Sequence, residues 1–387
     1  MDFRLGEASD AFRAEVREFL DQHFTEEVRE RVLETGVYHD SDIHRGLGER
    51  GWLAGAWPRE YGGQDRNPYE MIALHEEFGL AGAPTYGMST TMMIASIIRH
   101  VGTEQQRHEI LPQVLRGEVL LVLGYTEPDS GSDVAAAKTR AVRDGDDWII
   151  NGHKVFTTNA QISHYVLLLT RTNPDVPKHQ GLTVFLVPLD LPGIEIHPIH
   201  TLSGERTNGV FYSDVRVPDS CRVGEVDGGW QVMTVALTYE RPAIGRGEND
   251  RLLNQVVEWA RTTERDGRPV IDDPVVRERL ARAAIGNEVA KLLGYYAGWV
   301  DAQGRLPGVE GSMAKVQRTE SFVAESDLLL DLLGPEGARQ HGAPGAAAGG
   351  DIEHAFRHAQ VTTIFGGTSE IQRGIIAERG LGLPRRR

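Results

Sequence analysis

The chain has 387 residues, of which 40% are hydrophobic, and at roughly 150 residues per domain this is enough for two or three domains with their own cores. Its 41 basic and 56 acidic residues give a formal net charge of −15, which disfavours generic attraction to nucleic acid or to an anionic membrane. A single cysteine, Cys221, excludes an internal disulfide and any cysteine-rich metal site.

The sequence pattern shows neither a membrane-spanning helix nor a secretory signal. No apolar run approaches the ~18 residues that a membrane-spanning helix needs. The first ten residues, MDFRLGEASD, lack the basic start and apolar stretch of a secretory signal. We therefore expect a soluble, cytoplasmic protein.

The first third of the sequence has helical periodicity. A first helix is indicated by an apolar stripe that recurs every four residues, at Phe12, Val16 and Leu20. A second helix is predicted from Pro68 to about Phe78. Thr103 followed by Gln106 fits a capping box, which predicts a third helix that ends near Gly117.

From Glu118 to about Val217 the sequence changes to short runs of β-branched and aromatic residues. Asp144-Gly145 and Asn151-Gly152 are dipeptides that favour the positive φ angles of tight hairpin turns. This segment is predicted to be an all-β module, a sandwich or a barrel.

After Gly228-Gly229 the long helical patterns return. Asp273-Pro274 is a helix start with proline in the first turn, and a last helix is predicted over residues 369–379. Blocks of helices, then strands, then helices predict a segregated α+β fold rather than an alternating βαβ fold. The predicted domains are 1–117 (helical), 118–227 (β) and 228–387 (helical).

Two motifs with known chemistry are rejected on their context. Gly46-Leu47-Gly48-Glu49-Arg50-Gly51 matches G-x-G-x-x-G, but the polar residues before it do not form the strand that a dinucleotide site requires. His75-Glu76-Glu77 lacks a second histidine and is interpreted as a helix surface, so no metal site is expected.

The segment GYTEPDSGSD, residues 124–133, combines short hydroxyl side chains with glycine and proline. Such a loop suits a polar planar ligand or a phosphate, although alone it could be an ordinary turn-rich loop. Three further segments occur with it: AWPREYGG (56–63), GHKVFTTNA (152–160) and TTIFGGTSEIQRGIIAERGLGLP (362–384). Together the four resemble the acyl-CoA dehydrogenase family, in family order from about residue 8 to the end. The resemblance implies an N-terminal helical domain, a central β-barrel and a C-terminal four-helix bundle.

The resemblance also implies FAD as cofactor. The positions that match flavin-binding residues are Tyr125, Thr126, Ser132, Phe156, Thr158, Gly367, Thr368 and Glu370. The Thr126 hydroxyl is expected near the flavin N5 and O4 edge, and Phe156 against the flavin face, where tryptophan is common. Ser132 matches a position near both the flavin pyrophosphate and acyl-CoA. Tyr239 and Arg241 are the other expected substrate contacts.

The catalytic base is assigned to Glu240. Many family members carry a glutamate immediately before the Gly-Thr of the C-terminal motif, but here that residue is Gly366. Other branches place the base directly before an arginine on the first long C-terminal helix, which corresponds to Glu240 before Arg241. The alternative is a helix carboxylate that pairs with a neighbouring cation. The implied reaction removes the α-proton of an acyl-CoA thioester and transfers the β-hydrogen to flavin N5 as hydride, which gives the trans-2-enoyl-CoA.

Two FAD contacts that are usual in the family are absent from the sequence. No Arg-x-x-Phe-Gly occurs, and the usual Gln-x-x-Gly-Gly-x-Gly is replaced by a segment with Asp331 and Pro335. Bacterial members that act on steroid side chains resemble this pattern and pair two different subunits. The expected assembly is therefore either a homotetramer or a heterotetramer with a second acyl-CoA dehydrogenase-like chain.

The activity leaves two alternatives open. The first is a flavin-dependent monooxygenase of the same fold, and the second is a non-catalytic subunit of a heteromeric acyl-CoA dehydrogenase. The metabolic context is fatty acid or steroid side-chain degradation, and an electron-transfer flavoprotein is the electron acceptor that the resemblance implies.

Overall fold

The computed structural model describes residues 3–239, 247–305 and 307–384. They belong to two compact units. The helical unit comprises Met1–Gln22, Asn67–Ala83 and Arg241–Arg387, and the mixed unit comprises His23–Arg66 and Pro84–Glu240. The first two segments of the helical unit are therefore separated in sequence from its third and largest segment.

The helices in chain order are α1 (Glu7–His23), α2 (Glu26–Thr35), α3 (Ser41–Glu49), α4 (Pro68–Ala81), α5 (Tyr86–Val101), α6 (Glu104–Leu115), α7 (Gly229–Tyr239), α8 (Glu248–Thr262), α9 (Pro274–Ala302), α10 (Val309–Leu333), α11 (Asp351–Thr362) and α12 (Ser369–Ile375). The strands are β1 (Leu121–Gly124), β2 (Arg140–Asp144), β3 (Asp147–Lys154), β4 (Tyr165–Arg171), β5 (Leu182–Pro188), β6 (Ile194–His200), β7 (Arg206–Pro218), β8 (Arg222–Val223), β9 (Glu264–Arg265) and β10 (Arg268–Pro269). The predicted order of helices, strands and helices is confirmed.

One mixed sheet forms the centre of the mixed unit. Its strand order is β6-β7-β3-β2-β4-β5-β8, and β1 adds to β4 in parallel. Strand β4 is buried on both faces because alternate residues enter two different cores. Leu167 and Leu169 pack in a core with residues of α5, α6 and α7, whereas Val166 and Leu168 pack in a core made mainly of strands. This explains the continuous apolar run of β4, since a strand covered on both sides has no polar face.

The helix starts follow the capping signals of the sequence. The Thr103 hydroxyl accepts from Gln106 N at 3.1 Å, and the Gln106 side chain accepts from Thr103 N at 3.1 Å, so the predicted capping box is present. Asp273 caps α9 by accepting from Val275 N at 2.7 Å. These side chains satisfy backbone N–H groups that have no partner inside the helix.

The helical unit buries the predicted stripe of α1, where Phe12, Val16 and Leu20 are at most 4% exposed. The interpretation of Glu76 and Glu77 as helix surface is wrong. Both carboxylates are buried, because α1 lies beside this part of α4 and supplies their counter-charges. Arg13 pairs with both of them, and Arg17 donates to Glu77 at 2.7 Å.

The two predicted hairpin turns have different outcomes. Asp144-Gly145 does lie in the tight turn between β2 and β3, and Gly145 has a φ of 66°. Asn151-Gly152 is not a turn, because both residues lie inside β3, where the pairing with β7 shifts register at a bulge. Gly152 is required there for a different reason: a Cβ at this position would lie 2.5 Å from Thr139 Oγ1.

The G-x-G-x-x-G match does not lie between a strand and a helix, since Gly46 and Gly48 lie within α3 and no strand precedes β1 in the described part of the chain. Of the helices in the described ranges, none combines the length and the apolar character needed to cross a membrane. Nor do these ranges contain a cluster of three or more His, Cys, Asp or Glu residues suited to a metal ion.

Candidate functional site

The β1 loop, Tyr125–Asp133, leaves the sheet directly after β1. Its first turn is closed by two backbone hydrogen bonds, from Glu127 N to Ser130 O at 2.9 Å and from Ser130 N to Glu127 O at 3.1 Å. Thr126 is half-buried and Ser132 is exposed, so two of the predicted ligand-binding residues are accessible on either side of this turn.

The β3 exit segment, Val155–Asn159, follows β3 and lies beside the β1 loop. Val155 N donates to Thr126 O at 2.9 Å, which brings the two predicted flavin-binding motifs together. Phe156 has a φ of 59° and its ring is 63% exposed. A positive φ is unusual for a bulky residue and is associated with functional sites, and an exposed phenyl ring presents a flat apolar surface.

The β3 exit segment is also fixed to β7. Thr157 N donates to Asn208 O at 3.0 Å, and the Asn208 side chain donates back to Thr157 O at 3.0 Å. The Thr158 and Thr207 hydroxyls lie 3.0 Å apart. These contacts leave Thr158 exposed while its backbone neighbour Thr157 is buried.

A buried ion pair lies beneath the two segments. Lys154, the last residue of β3, is fully buried, and its Nζ lies 2.7 Å from Glu127 Oε1. Burial lowers the pKa of Lys154 to about 8, against the opposing effect of Glu127. Burial also disfavours ionisation of Glu127, but the Lys154 charge and the hydrogen bonds from Lys154, Thr139 and Lys138 together lower the pKa of this carboxyl. The pair is therefore ionised at neutral pH.

The groups in this region are suited to a flavin. Exposed or half-exposed hydroxyls on Thr126, Ser132 and Thr158 can bond to the polar edge and phosphates of a ligand, and the Phe156 ring can cover an aromatic face. In addition, Ser130 Oγ and Thr157 Oγ1 are buried without a hydrogen-bond partner among the described residues. Such orphaned hydroxyls are uncommon in proteins and leave capacity for a ligand or a water molecule.

The C-terminal motif forms a separate turn, within the helical unit. Gly366 and Gly367 have φ angles of 65° and 81°, and Thr368 caps α12 by accepting from Ile371 N at 3.3 Å. Lys315 Nζ donates to Gly367 O, and Gln372 Nε2 donates to Gly366 O, both at 2.8 Å. These two bonds hold the carbonyls of the turn.

Glu370 lies in the first turn of α12 and is exposed. A hydrogen bond to its own backbone N–H, and a second from Thr368, lower its pKa. The carboxylate is therefore a hydrogen-bond acceptor here.

The predicted base and substrate contacts lie mostly outside the described residues. Tyr239 is the last residue of α7, whereas Glu240 and Arg241 lie outside the described ranges. Their roles stay predictions.

Sequence reasoning missed Glu127, Lys154 and Asn208 as residues of this region. Glu127 and Lys154 lie within the two motifs whose hydroxyl-bearing residues were predicted to bind the ligand. The available signal was the opposite charge of the two motifs, since GYTEPDSGSD carries three acidic residues and GHKVFTTNA carries a lysine. The bulge in β3 hid the inward direction of Lys154, because it changes the alternation of side chains along the strand.

Comparison with known proteins agrees with this architecture. Residues 6–118, 122–217 and 227–381 match the N-terminal, middle and C-terminal domains of acyl-CoA dehydrogenases, respectively. The chain is 38% identical over 388 residues to acyl-CoA dehydrogenase FadE26 of Mycobacterium tuberculosis, and the match covers 96% of each protein.

Two solved structures are similar over their whole length. One is described as the Tcur3481-Tcur3483 steroid ACAD, with 37% identity, a TM-score of 0.92 and complete coverage of both chains. The other is the ChsE4-ChsE5 complex from Mycobacterium tuberculosis, with 35% identity, a TM-score of 0.91 and complete coverage of both chains. The three matched domains and these full-length relatives confirm the resemblance seen in the sequence: the chain belongs to the acyl-CoA dehydrogenase family, whose members are flavoproteins.

Proposed function

We propose that the protein catalyses the FAD-dependent α,β-dehydrogenation of an acyl-CoA thioester. The observation that carries this proposal is the junction of the β1 loop with the β3 exit segment. There, one backbone bond, Val155 N to Thr126 O, joins accessible hydroxyls to an exposed phenyl ring. When bound, FAD supplies the acceptor for the β-hydrogen. The protein's own hydroxyls orient the ligand, and Phe156 covers one face of it.

We assign the removal of the substrate's α-proton to Glu240. The alternative position, Gly366, has a positive φ and is followed by a second glycine with a positive φ, so a side chain at 366 would be strained. This supports a base elsewhere in the chain. A carboxylate in an apolar, water-poor pocket has a raised pKa and is a better base for a thioester α-proton.

We further propose that the active assembly contains a second acyl-CoA dehydrogenase-like chain. In place of an Arg-x-x-Phe-Gly motif, this chain has the β9–β10 hairpin, where Arg265 donates to the carbonyls of Leu332 and Leu333 at the end of α10. Asp331, in place of the usual glutamine, pairs with Arg279. Both arginines thus have partners within this chain, and a carboxylate stands where a donor is usual.

The substrate that we propose is a CoA thioester with a bulky, steroid-type acyl group. Its support is the description of a similar structure as a steroid ACAD.

The first experiment measures the FAD content and mass of the protein expressed alone and with a sister chain. The proposal predicts that FAD binding requires the sister chain. One FAD per chain in a homotetramer would contradict the heteromer and leave the dehydrogenase assignment standing. Anaerobic addition of a steroid-type acyl-CoA to the FAD-loaded assembly is then expected to bleach the flavin absorbance, and an electron-transfer flavoprotein is expected to restore it.

A second experiment tests the base. In Glu240→Gln, bleaching by acyl-CoA is expected to fall by at least about 1000-fold, while FAD and acyl-CoA binding persist. The matched control is Glu258→Gln on α8, which removes an exposed carboxylate and is expected to leave bleaching unchanged. Normal bleaching in Glu240→Gln would refute the assignment. Rapid reaction of the reduced flavin with oxygen would instead favour a monooxygenase.

A further inference from the structure

The buried pair of Glu127 and Lys154 has a role that the family assignment does not supply. We propose that these two side chains are positioning residues, which hold the β1 loop and the β3 exit segment in the arrangement that binds the flavin. The inference rests on the proposed FAD-dependent function and adds to it two residues that act on the ligand only by fixing the backbone of the segments that bind it.

The ion pair joins three segments of the chain. Lys154 Nζ donates to Glu127 Oε1 at 2.7 Å and to the carbonyl of Tyr125 at 3.2 Å. The carboxylate of Glu127 also accepts from Lys138 N at 2.7 Å and from Thr139 N at 2.8 Å. The β1 loop is thereby tied both to the end of β3 and to the chain that enters β2.

The positions of these bonds match the positions of the predicted ligand groups. Lys154 binds the carbonyl of the residue directly before Thr126, and Glu127 is the residue directly after it. On the other segment, Lys154 directly precedes Val155, whose N–H donates to Thr126 O. A change in the pair therefore shifts Thr126 and Phe156 relative to one another.

Neither side chain is placed to react with a ligand. Lys154 is 0% exposed and Glu127 is 6% exposed, so a bound molecule meets neither of them directly. Stability alone is also a weak reason for such a pair, because two buried ions replaced together by neutral groups often cost the fold little. A role in fixing the geometry of the flavin-binding segments accounts for the buried pair, because this role requires neither direct contact with a ligand nor a gain in stability.

The test compares Lys154→Met, Glu127→Gln and the double variant in the assembly that binds FAD. The measurements are the FAD dissociation constant of the apoprotein, by flavin fluorescence, the visible spectrum of bound flavin and the thermal midpoint. Each single variant is expected to weaken FAD binding at least about tenfold and to alter the flavin spectrum. The control is Lys138→Met, which breaks the exposed 2.8 Å pair with Asp129 in the same loop and is expected to change neither.

The double variant separates positioning from stability, even where a single variant fails to fold. Positioning predicts a thermal midpoint near that of the wild type, with FAD binding still at least about tenfold weaker. Recovery of both the midpoint and FAD affinity in the double variant would overturn the proposal, as would wild-type affinity and spectrum in the single variants. Failure of the wild-type protein to bind FAD in any assembly would instead refute the proposed function itself.

Discussion

Glu325 is a carboxylic acid in the interior of the helical unit, and its substitution is expected to stabilise the protein. It lies on α10 and is 6% exposed. Its Oε2 accepts from Asn249 Nδ2 at 2.8 Å, whereas Oε1 is buried without a partner among the described residues. Oε1 lies against Gly286 of α9, where a Cβ would be only 2.6 Å away.

Burial raises the pKa of Glu325 to about 8, and the nearby Asp250 contributes in the same direction, against the hydrogen bond from Asn249. The ordinary value for the unfolded chain is 4.5. Between these two values the folded protein holds a proton that the unfolded chain has lost, so stability is fully present below pH 4.5 and is lost as the pH rises through 8. At pH 7.5 the loss amounts to about 4 kcal/mol.

The Glu325→Gln variant keeps the shape of the side chain and removes its ionisation. It is expected to be more stable than the wild type by about 4 kcal/mol near pH 8 and to match the stability of the wild type closely at pH 4.5. At roughly 2 °C per kcal/mol for a chain of this size, the thermal midpoint rises by several degrees at pH 8. Thermal unfolding followed by circular dichroism at both pH values measures the effect.

The matched control is Asp327→Asn, which neutralises an exposed carboxylate two residues away on the same helix. It is expected to leave the difference between the two pH values unchanged. A midpoint for Glu325→Gln that is lower than that of the wild type at pH 8 would refute the reasoning, because it would mean that the ionised carboxylate stabilises the bundle.

Three further predictions concern the fold. His44 is 2% exposed and burial lowers its pKa to about 3, so stability is lost as the pH falls below the ordinary value of 6.5. At pH 5 the loss is about 2 kcal/mol. His44→Phe is therefore expected to flatten the decline of the thermal midpoint between pH 8 and pH 5. Phe78 is fully buried, and its ring lies 6.5 Å from that of Phe19. Phe78→Ala is expected to lower the free energy of unfolding by about 3 to 5 kcal/mol, measured as a fall in the thermal midpoint. Gly152 and Gly145 both have a positive φ, of 156° and 66°, but a Cβ at Gly152 would lie against Thr139 whereas a Cβ at Gly145 would meet open space. Gly152→Ala is therefore expected to lower the midpoint more than Gly145→Ala, and equal effects would contradict this packing argument.

Local signals predicted those features of the fold that depend on neighbouring residues. The capping box at Thr103 and Gln106 works within one helical turn, and the Asp144-Gly145 turn joins adjacent strands, so the sequence alone was enough. Asn151-Gly152 has the same local character, yet it lies inside a strand. The close approach of Thr139, a residue in another segment, decides that position, and no local pattern contains it.

The candidate site also combines features that the local sequence predicts with features that depend on distant residues. The hydroxyl-bearing segments and the family were recognised from four motifs in order along the chain. The dependence of those segments on Glu127 and Lys154 was missed, because it arises from burial and from a strand bulge. Likewise, the burial of Glu76 and Glu77 depends on arginines of α1, more than fifty residues earlier in the sequence.

The discontinuity of the helical unit has a consequence for how the protein is made. Helix α4 is synthesised before α8 and α9, which pack against it and follow only after the long second segment of the mixed unit; α9 begins roughly 200 residues after α4 ends. At about 5–20 residues per second, α4 waits for roughly 10 to 40 s before its apolar face can be covered. The mixed unit, whose later segment is continuous, can fold during this interval. A nascent chain of this protein therefore exposes the apolar residues of α4 until α8 and α9 have been synthesised.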